Sequence, residues 1–315
     1  MLSHLNAPYF HNEEAARAVV EAHLWPNGPV CPFCGEQERI GELKGKTTRA
    51  GLRKCYACKK PFTVKIGTVL QESNIPYRYW LQAIYLLCAS KKGMSTRQLQ
   101  RTLGCGMKTA WHLSHRVRKM MEDTDPTPMG GEGKIVESDE TFYMDKADIP
   151  EPWRFTNEKG WQKRRPGPSN KLAILTLVER GGKARSVQVP DLKTVTLAKI
   201  ILGRVDPAST FMTDERMAYR RIGKRFAEHE FVTHNDEEYA RGRAHVNSAE
   251  GFFSVFKRGM VGVYQHCEEQ HLHRYLAEFD FRYSNREKLG VDDAERASRA
   301  LKGAKGKRLP YGSTR

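Results

Sequence analysis

The sequence has no long hydrophobic stretch, and no run of apolar residues approaches the roughly 18 that a membrane-spanning helix needs. Its first residues, MLSHLNAPYFHNEEAARAVVEA, lack both the cationic start and the apolar run of a signal peptide. The first absence argues against a helical membrane protein and the second against a secreted one. No internal repeat is evident. A cytosolic protein is therefore expected.

Cysteines are few and odd in number, which argues against a disulfide framework. Four of the seven form two Cys-x-x-Cys pairs, Cys31 with Cys34 and Cys55 with Cys58, and twenty residues separate the pairs. This spacing is typical of a zinc ribbon in which four thiolates hold one structural Zn²⁺ and leave no position open for water or substrate. The alternative is a set of four buried cysteines that bind nothing.

Basic residues clearly outnumber acidic ones. Lys and Arg number 53 against 37 Asp and Glu, for a formal net charge of +16, and the acids are interspersed among the bases. A folded basic surface is indicated, and nucleic acid is the favoured partner, the alternative being a soluble basic protein. Exposed phosphate contacts are expected around the ribbon at Lys44, Lys46, Arg49, Arg53, Lys54, Lys59 and Lys60.

The 315 residues are enough for several domains, and the residue patterns predict four parts. Residues 1–72 hold a helix and the ribbon, and 73–124 hold three helices. After the Pro- and Gly-rich TDPTPMGGEG linker, residues 131–290 show strands followed by helices, as in an α/β layer whose sheet is at least partly antiparallel. A basic insertion, 145–170, suits a DNA contact. The polar, basic tail, 291–315, is expected to be loosely ordered.

The three helices fit a helix-turn-helix plan. The first spans about Tyr77 to Ser90, and a capping box of Ser95 and Gln98 opens a second that ends at Leu103 before the turn GCG. The third helix is basic, and its outward side chains would contact DNA. These are Lys108, His112, His115, Arg116 and Lys119. The alternative is an ordinary helical bundle.

Two carboxylates belong to apolar strands. In KIVESDETFYM, side-chain alternation places Ile135, Glu137, Asp139 and Thr141 on one face, and Asp214 ends the strand TFMTD. An unpaired carboxylate in such a setting is costly, and a bound metal ion removes that cost. If the two strands are neighbours, Asp139 and Asp214 would stand side by side.

A helix supplies the third acid. In HVNSAEGFFSVFKRG, Asn247, Glu250, Ser254 and Lys257 share one face, and thirty-five residues separate Asp214 from Glu250. The adjoining apolar stripe, expected to pack on the sheet, consists of Ala249, Phe252, Phe253, Phe256 and Met260. Carboxylates from separate elements suit a two-cation site that cuts and joins phosphodiesters. Asn247 is an alternative oxygen ligand, and each acid taken singly could be merely solvated.

Several motifs together carry a family resemblance. They are CPFCG with CYACKKPFTV, KTAWHLSHRVRKMM, VESDET, MTDE, and HVNSAEGFFSVFKRGMVGVYQH followed by HLHRYLAEFDFRYSNR. Over nearly its full length the chain resembles insertion-sequence transposases of the DDE superfamily, in the zinc-ribbon, ISXO-like group. The resemblance implies an RNase H-like catalytic domain in which Asp139, Asp214 and Glu250 hold two Mg²⁺ or Mn²⁺ ions. Because some relatives use asparagine as the third ligand, Asn247 remains an alternative.

The resemblance also implies partners and a reaction. The expected partners are DNA, as the element's terminal inverted repeats and the target, and a second copy of the chain in a homodimer or larger oligomer. Lys257 and the adjacent Arg258 would bind DNA phosphates, and the protein would be cytoplasmic and associated with the bacterial nucleoid. The alternatives are a catalytically inactive DNA-binding regulator derived from a transposase, and a nuclease or resolvase that performs no joining step.

Overall fold

The structure is a computed structural model that describes residues 4–145, 153–156, 160–163, 171–233 and 242–311. It divides into two compact units, one of Met1–Glu122 with Asn285–Arg315 and the other of Asp123–Ser284. The predicted ribbon and three helices fall together in the first unit. Within the described ranges, no helix has both the length and the apolar character needed to cross a membrane.

The helices and strands are numbered in chain order. The helices are α1 (Glu13–Leu24), α2 (Tyr77–Ala89), α3 (Thr96–Leu103), α4 (Met107–Met121), α5 (Thr194–Leu202), α6 (Met217–Gly223), α7 (Asn247–Gly259), α8 (Leu272–Ser284) and α9 (Asp293–Lys302). The strands are β1 (Ile40–Glu42), β2 (Arg53–Cys55), β3 (Pro61–Phe62), β4 (Met129–Gly130), β5 (Ile135–Asp145), β6 (Trp153–Thr156), β7 (Gly160–Lys163), β8 (Lys171–Glu179), β9 (Ala184–Val189), β10 (Val205–Asp206), β11 (Thr210–Asp214) and β12 (Glu228–Val232).

The first unit joins the small antiparallel sheet β1-β2-β3 to a group of helices. The predicted start of α3 is confirmed, because the Ser95 hydroxyl accepts a hydrogen bond from Gln98 N at 3.2 Å. The helix ends at Gly104, which has a φ of +63°, a left-handed conformation that glycine adopts without strain. The predicted first helix is likewise confirmed to within one residue as α2.

The prediction that α4 presents a basic outward face is wrong. His112, His115 and Arg116 are all buried. The chain's last described segment covers this helix: Arg116 Nε donates a hydrogen bond to the Leu309 carbonyl at 3.1 Å, and the ring of Tyr311 packs edge-on against His112. These three side chains therefore pack within the unit, and none of them lies on a free DNA-contacting face.

Two other predicted DNA contacts lie at opposite ends of α4. Lys108, in its first turn, is exposed, so only the N-terminal end of the helix offers a basic side chain to a partner. Lys119, near the other end, is partly buried and pairs with Glu122 at 2.6 Å. That ion pair already occupies the Lys119 ammonium.

The tail predicted to be loosely ordered forms α9 instead, and residues 303–311 follow it across the first unit. The Asp292 side chain caps the start of α9 by accepting a hydrogen bond from Glu295 N at 2.7 Å. Lys307 Nζ then donates to the carbonyls of Met120 and Glu122, at 2.9 and 2.6 Å. Basic residues in this segment thus bind main-chain oxygens, which is why a polar, charged composition did not produce disorder.

The second unit is a mixed α/β layer around a five-stranded sheet of order β12-β11-β5-β8-β9. Strands β5, β8 and β9 are antiparallel, which confirms the expected antiparallel part, while β11 runs parallel to both β5 and β12. Apolar side chains of α5 and α6 pack on one face of the sheet, and those of α7 and α8 pack on the other. The basic insertion falls largely outside the described residues, apart from the backbone hairpin β6-β7.

One buried arginine ties α9 into the first unit. Arg296 is 8% exposed and donates hydrogen bonds to the carbonyls of Cys88, Asn285 and Val291, at 3.0, 2.7 and 3.1 Å. Replacing Arg296 with Met would leave these acceptors unpaired, so we expect the free energy of unfolding to fall by about 3 kcal/mol. Denaturant unfolding of the full chain measures this change.

The matched control is Arg299→Met in the same helix. The Arg299 guanidinium pairs with Glu295 at the surface, so its loss should change the free energy of unfolding by less than about 1 kcal/mol. Equal effects of the two substitutions would contradict a special role for the buried arginine.

Candidate active site and metal centre

Asp139 and Asp214 lie side by side at the middle of the sheet. Strands β5 and β11 pair in parallel as far as Glu137 opposite Met212, and each aspartate is two residues further along its strand. Because side chains alternate along a strand, Asp139 shares the face of Glu137 and Asp214 the face of Met212. The predicted juxtaposition is found: carboxylate oxygens of Asp139, Asp214 and Glu140 all lie within 4.8 Å of one another.

Glu140 is the member of this cluster that the sequence interpretation did not select. Alternation puts it on the opposite face from Asp139, where its side chain is 2% exposed and its Oε1 lies 3.7 Å from Arg216 Nε. Burial raises the pKa of this carboxyl to about 7; Arg216 opposes that change, and the neighbouring Asp214 and Asp139 reinforce it. In the sequence, the feature that could have identified Glu140 is its position directly after Asp139 in VESDET.

Helix α7 has the amphipathic arrangement that was predicted. The predicted apolar stripe is buried, with Ala249, Phe252, Phe253 and Phe256 in the helix and Met260 directly after it. Asn247, Glu250, Lys257 and Arg258 are exposed. Among the described residues, Glu250 is not part of the cluster whose oxygens lie within 4.8 Å of one another. Whether Glu250 or Asn247 is the third ligand, and whether Lys257 and Arg258 contact DNA, remain predictions.

The four predicted zinc-binding cysteines converge. Their Sγ atoms lie within 4.8 Å of one another, with Cys31 3.6 Å from Cys58 and Cys34 3.6 Å from Cys55. Tetrahedral Zn²⁺ with Zn–S bonds of about 2.3 Å would separate its sulfurs by about 3.8 Å, close to these distances. The thiols therefore fit a four-coordinate metal ion.

The backbone of each Cys-x-x-Cys turn is also shaped for a metal. Gly35 and Lys59, which follow the two turns, have φ values of +77° and +65°. Cys58 N lies 3.5 Å from the Cys55 sulfur, so a backbone N–H supports that thiol. These left-handed residues fold the chain back around the sulfurs.

The pKa values of the Cys31 and Cys34 thiols reflect interactions within the cysteine cluster. Burial opposes ionisation of Cys31, yet hydrogen bonds from the backbone N–H groups of Phe33 and Cys34 lower its pKa to about 7. For Cys34, a backbone N–H of Glu36 favours the thiolate, but burial and the three neighbouring cysteines raise the pKa to about 12. Four thiolates this close repel one another, and a divalent cation among them removes that repulsion.

The surface of the ribbon is basic in part. Lys44, Lys46, Arg49, Lys59 and Lys60 are exposed. Arg53 is instead half-buried and held by Glu21 at 3.1 Å, and Lys54 is also half-buried. Most of the predicted phosphate-binding positions around the ribbon are therefore open to a partner.

Two family models match the regions of the chain that hold the acidic and cysteine clusters. An ISXO2-like transposase domain is matched over residues 130–284, which include Asp139, Asp214 and Glu250, and a transposase zinc-ribbon domain is matched over residues 11–61, which include all four clustered cysteines. The chain carries an ISXO2-like transposase domain together with a transposase zinc ribbon.

Individual proteins and solved structures are also similar to the chain. A protein of the transposable element ISH50 from Halobacterium salinarum is 28% identical over 281 residues, which are 87% of this chain and 91% of that protein. Among solved structures, the Mos1 transposase in a pre-cleavage transpososome matches 73% of this chain and 77% of its own with 10% identity and a TM-score of 0.25. The Mos1 strand transfer complex matches with a TM-score of 0.22.

The zinc ribbon of this chain should depend on a bound metal ion. We expect the purified chain to carry about one zinc ion, and Cys34→Ser should lose it, because a closed site needs all four ligands. Elemental analysis measures the zinc, and thermal unfolding measures the accompanying loss of stability. Cys105→Ser, outside the cluster, is the control and should keep the zinc. Full zinc content in the Cys34 variant would contradict four-thiolate binding.

Proposed function

We propose that the chain is an active DNA transposase that binds the terminal inverted repeats of an insertion sequence and catalyses strand cleavage and strand transfer. The observation that carries this proposal is the convergence of Asp139 and Asp214 at the middle of the sheet, with α7 packed on the face that Asp139 shares with Glu137. The order of the sheet, three antiparallel strands followed by two parallel ones, supports the RNase H-like class.

The carboxylates would hold two Mg²⁺ or Mn²⁺ ions, with Glu250 as the third ligand and Asn247 as its alternative. Carboxylate oxygens are the ligands that such hard cations prefer, and Glu140 Oε1, which is buried and lies 3.7 Å from Arg216 Nε, is a further carboxylate oxygen beside the two aspartates. When bound, the ions would supply charge stabilisation at the attacking and leaving oxygens of an in-line displacement.

The reaction would have two steps at one site. In the first, a water oxygen attacks the phosphorus at the element's end, the bond to the 3′-oxygen breaks, and a 3′-hydroxyl is left. In the second, that hydroxyl attacks a target phosphodiester, whose own 3′-oxygen leaves. Asp139 and Asp214 keep their place in both steps, and no side chain forms a covalent intermediate. Lys257 and Arg258, exposed on α7, would bind backbone phosphates and hold the DNA.

Recognition of the repeats would belong to the first unit. The exposed lysines and arginine of the ribbon and Lys108 at the start of α4 are basic groups available there, and N-terminal residues of a recognition helix are the ones that contact bases in a helix-turn-helix. Assembly of two element ends calls for at least a dimer. Since such an enzyme works on chromosomal DNA, we place it in the cytoplasm with the nucleoid.

A DNA-binding regulator without catalysis is the main alternative. It would not require carboxylates to be crowded together at the middle of a sheet, where their mutual repulsion is a cost. A nuclease with the same metal chemistry would require them. Only the joining step distinguishes that nuclease from a transposase.

The decisive experiment supplies two DNA substrates: uncut element ends, and precut ends that already carry a 3′-hydroxyl. With Mg²⁺, the wild-type chain should cut the first and join the second to target DNA. Asp139→Asn and Asp214→Asn should each lower both rates by at least about a thousandfold while end binding is retained, because both steps use the same carboxylates. Gel assays of cleavage, joining and binding measure the three quantities.

The matched control for these variants is Asp191→Asn. Asp191 accepts hydrogen bonds from Lys193 N and Thr196 Oγ1 at the start of α5, an arrangement that an asparagine oxygen can preserve. Both rates should stay near those of the wild type. Joining by the Asp139 or Asp214 variants would overturn the catalytic assignment, and cutting without joining by the wild-type chain would favour the nuclease.

The third ligand can be identified by a pair of substitutions on α7. We expect Glu250→Gln to abolish cleavage, because a neutral amide binds Mg²⁺ much more weakly than a carboxylate, and Asn247→Ala to lower the rate by about tenfold or less. Cleavage rates over a Mg²⁺ titration check both. The reverse pattern, a dead Asn247 variant and an active Glu250 variant, would assign the ligand to Asn247.

A further inference from the structure

The first turn of α7 is capped by a side chain from the sheet. The residue before the helix, Val246, has no side chain able to accept a hydrogen bond from the exposed N–H groups of that turn. The Glu137 carboxylate of β5 accepts them: Ser248 N donates to Oε2 at 2.7 Å, Ala249 N to the same oxygen at 3.1 Å, and Ser248 Oγ to Oε1 at 2.9 Å. A negative charge at this end of a helix is also favoured by the helix dipole.

Glu137 is fully buried, so its charge needs compensation beyond the helix. Arg180, directly after β8, provides it by donating from Nε to Glu137 Oε1 at 2.6 Å. The same guanidinium donates to the carbonyls of Arg243 and His245, both at 2.9 Å. His245 Nδ1 lies 3.4 Å from Glu137 Oε1. The segment that enters α7 and the first turn of α7 are therefore both bonded to one ion pair, whose carboxylate is buried.

The Glu137 carboxylate and the residues that it binds on α7 lie close in sequence to two candidate metal ligands, Asp139 and Glu250. Glu137 precedes Asp139 by two residues on the same strand face, and Ser248 and Ala249 are the two residues before Glu250. The Glu137 carboxylate, which bonds strand to helix, therefore acts together with the apolar packing of α7 to set the separation of the Asp139 and Glu250 main chains. A displacement of about 1 Å at a catalytic centre can lower a rate on the order of a hundredfold.

We infer that Glu137 is a positioning residue of this enzyme: its buried carboxylate, paired with Arg180, fixes the first turn of α7 on β5 and so sets the place of Glu250 relative to Asp139. The inference rests on the proposed function for its catalytic consequence. Its structural part, the attachment of α7, is independent of that function.

Glu137→Gln tests this role in the full chain. Glutamine has nearly the same shape but only one acceptor oxygen, so it cannot receive the Arg180 guanidinium on one side and the Ser248 and Ala249 amides on the other. We expect faster hydrogen exchange of the first turn of α7, Mn²⁺ binding weakened by about tenfold in a spectroscopic titration, and joining of precut ends slowed on the order of ten- to a hundredfold. DNA-end binding should be unchanged, and excess Mn²⁺ should restore part of the joining rate.

Asp280→Asn is the matched control for the loss of a buried carboxylate. Asp280, on α8, accepts hydrogen bonds from Ser186 N and Oγ, both at 2.6 Å, and among the described residues it makes no hydrogen bond to the first turn of α7. This variant can lower the melting temperature but should leave exchange in that turn, Mn²⁺ affinity and the joining rate near their wild-type values. Ser248→Ala, which removes a single donor to Glu137, is a milder second variant that should shift all three quantities in the same direction as Glu137→Gln.

Three outcomes decide the matter. If Glu137→Gln or Ser248→Ala loosens the first turn and weakens Mn²⁺ binding while Asp280→Asn does not, the inference holds. If both leave Mn²⁺ affinity and joining unchanged, or if Asp280→Asn reduces them equally, Glu137 serves stability alone and the inference is overturned. If the wild-type chain joins no DNA, the proposed function fails, and the exchange and Mn²⁺ measurements still decide whether Glu137 positions α7.

Discussion

The arrangement of the second unit depends on β5, which has an antiparallel neighbour, β8, on one side and a parallel neighbour, β11, on the other. A strand with partners on both edges cannot slip in register without moving its buried side chains to the wrong face. That constraint fixes Asp139 opposite the end of β11, where Asp214 lies. The acidic cluster is therefore held by main-chain hydrogen bonds of the sheet rather than by contacts among the acids, which repel one another.

Keeping these carboxylates together has an energetic cost that the surroundings only partly offset. The raised pKa of Glu140 shows that burial outweighs the favourable effect of Arg216, and the two aspartates add repulsion. Glu137, two residues earlier on the same strand, differs because Arg180 and two backbone N–H groups bind its carboxylate directly. Strand β5 thus carries Glu137, whose carboxylate binds structural partners, and two acids of the cluster, in which the mutual repulsion of the carboxylates favours a bound cation.

Local rules predicted the parts of the fold that depend on neighbouring residues. The spacing of the cysteines, the Ser95 cap and the amphipathic pattern of α7 all follow from periodicity or short-range chemistry, and the structure has each of them. The pairing of β5 with β11 was expected only conditionally. No pattern within either strand specifies its neighbour, because that pairing depends on contacts between distant segments.

The incorrect or missing predictions have a common cause, which is contact between residues that are distant in sequence. His112 and Arg116 look like outward residues of a basic helix, but residues near 310, almost two hundred positions later, cover them. Glu137 was placed on the correct strand face yet given no role, since its partners Arg180 and Ser248 lie far away in sequence. From sequence alone, a charged side chain is predicted to be solvent-exposed when its hydrogen-bond or ion-pair partner lies far away along the chain. In this chain, buried arginines and a buried glutamate connect separate elements, whereas exposed basic side chains such as Lys108, Lys257 and Arg258 remain predicted phosphate contacts.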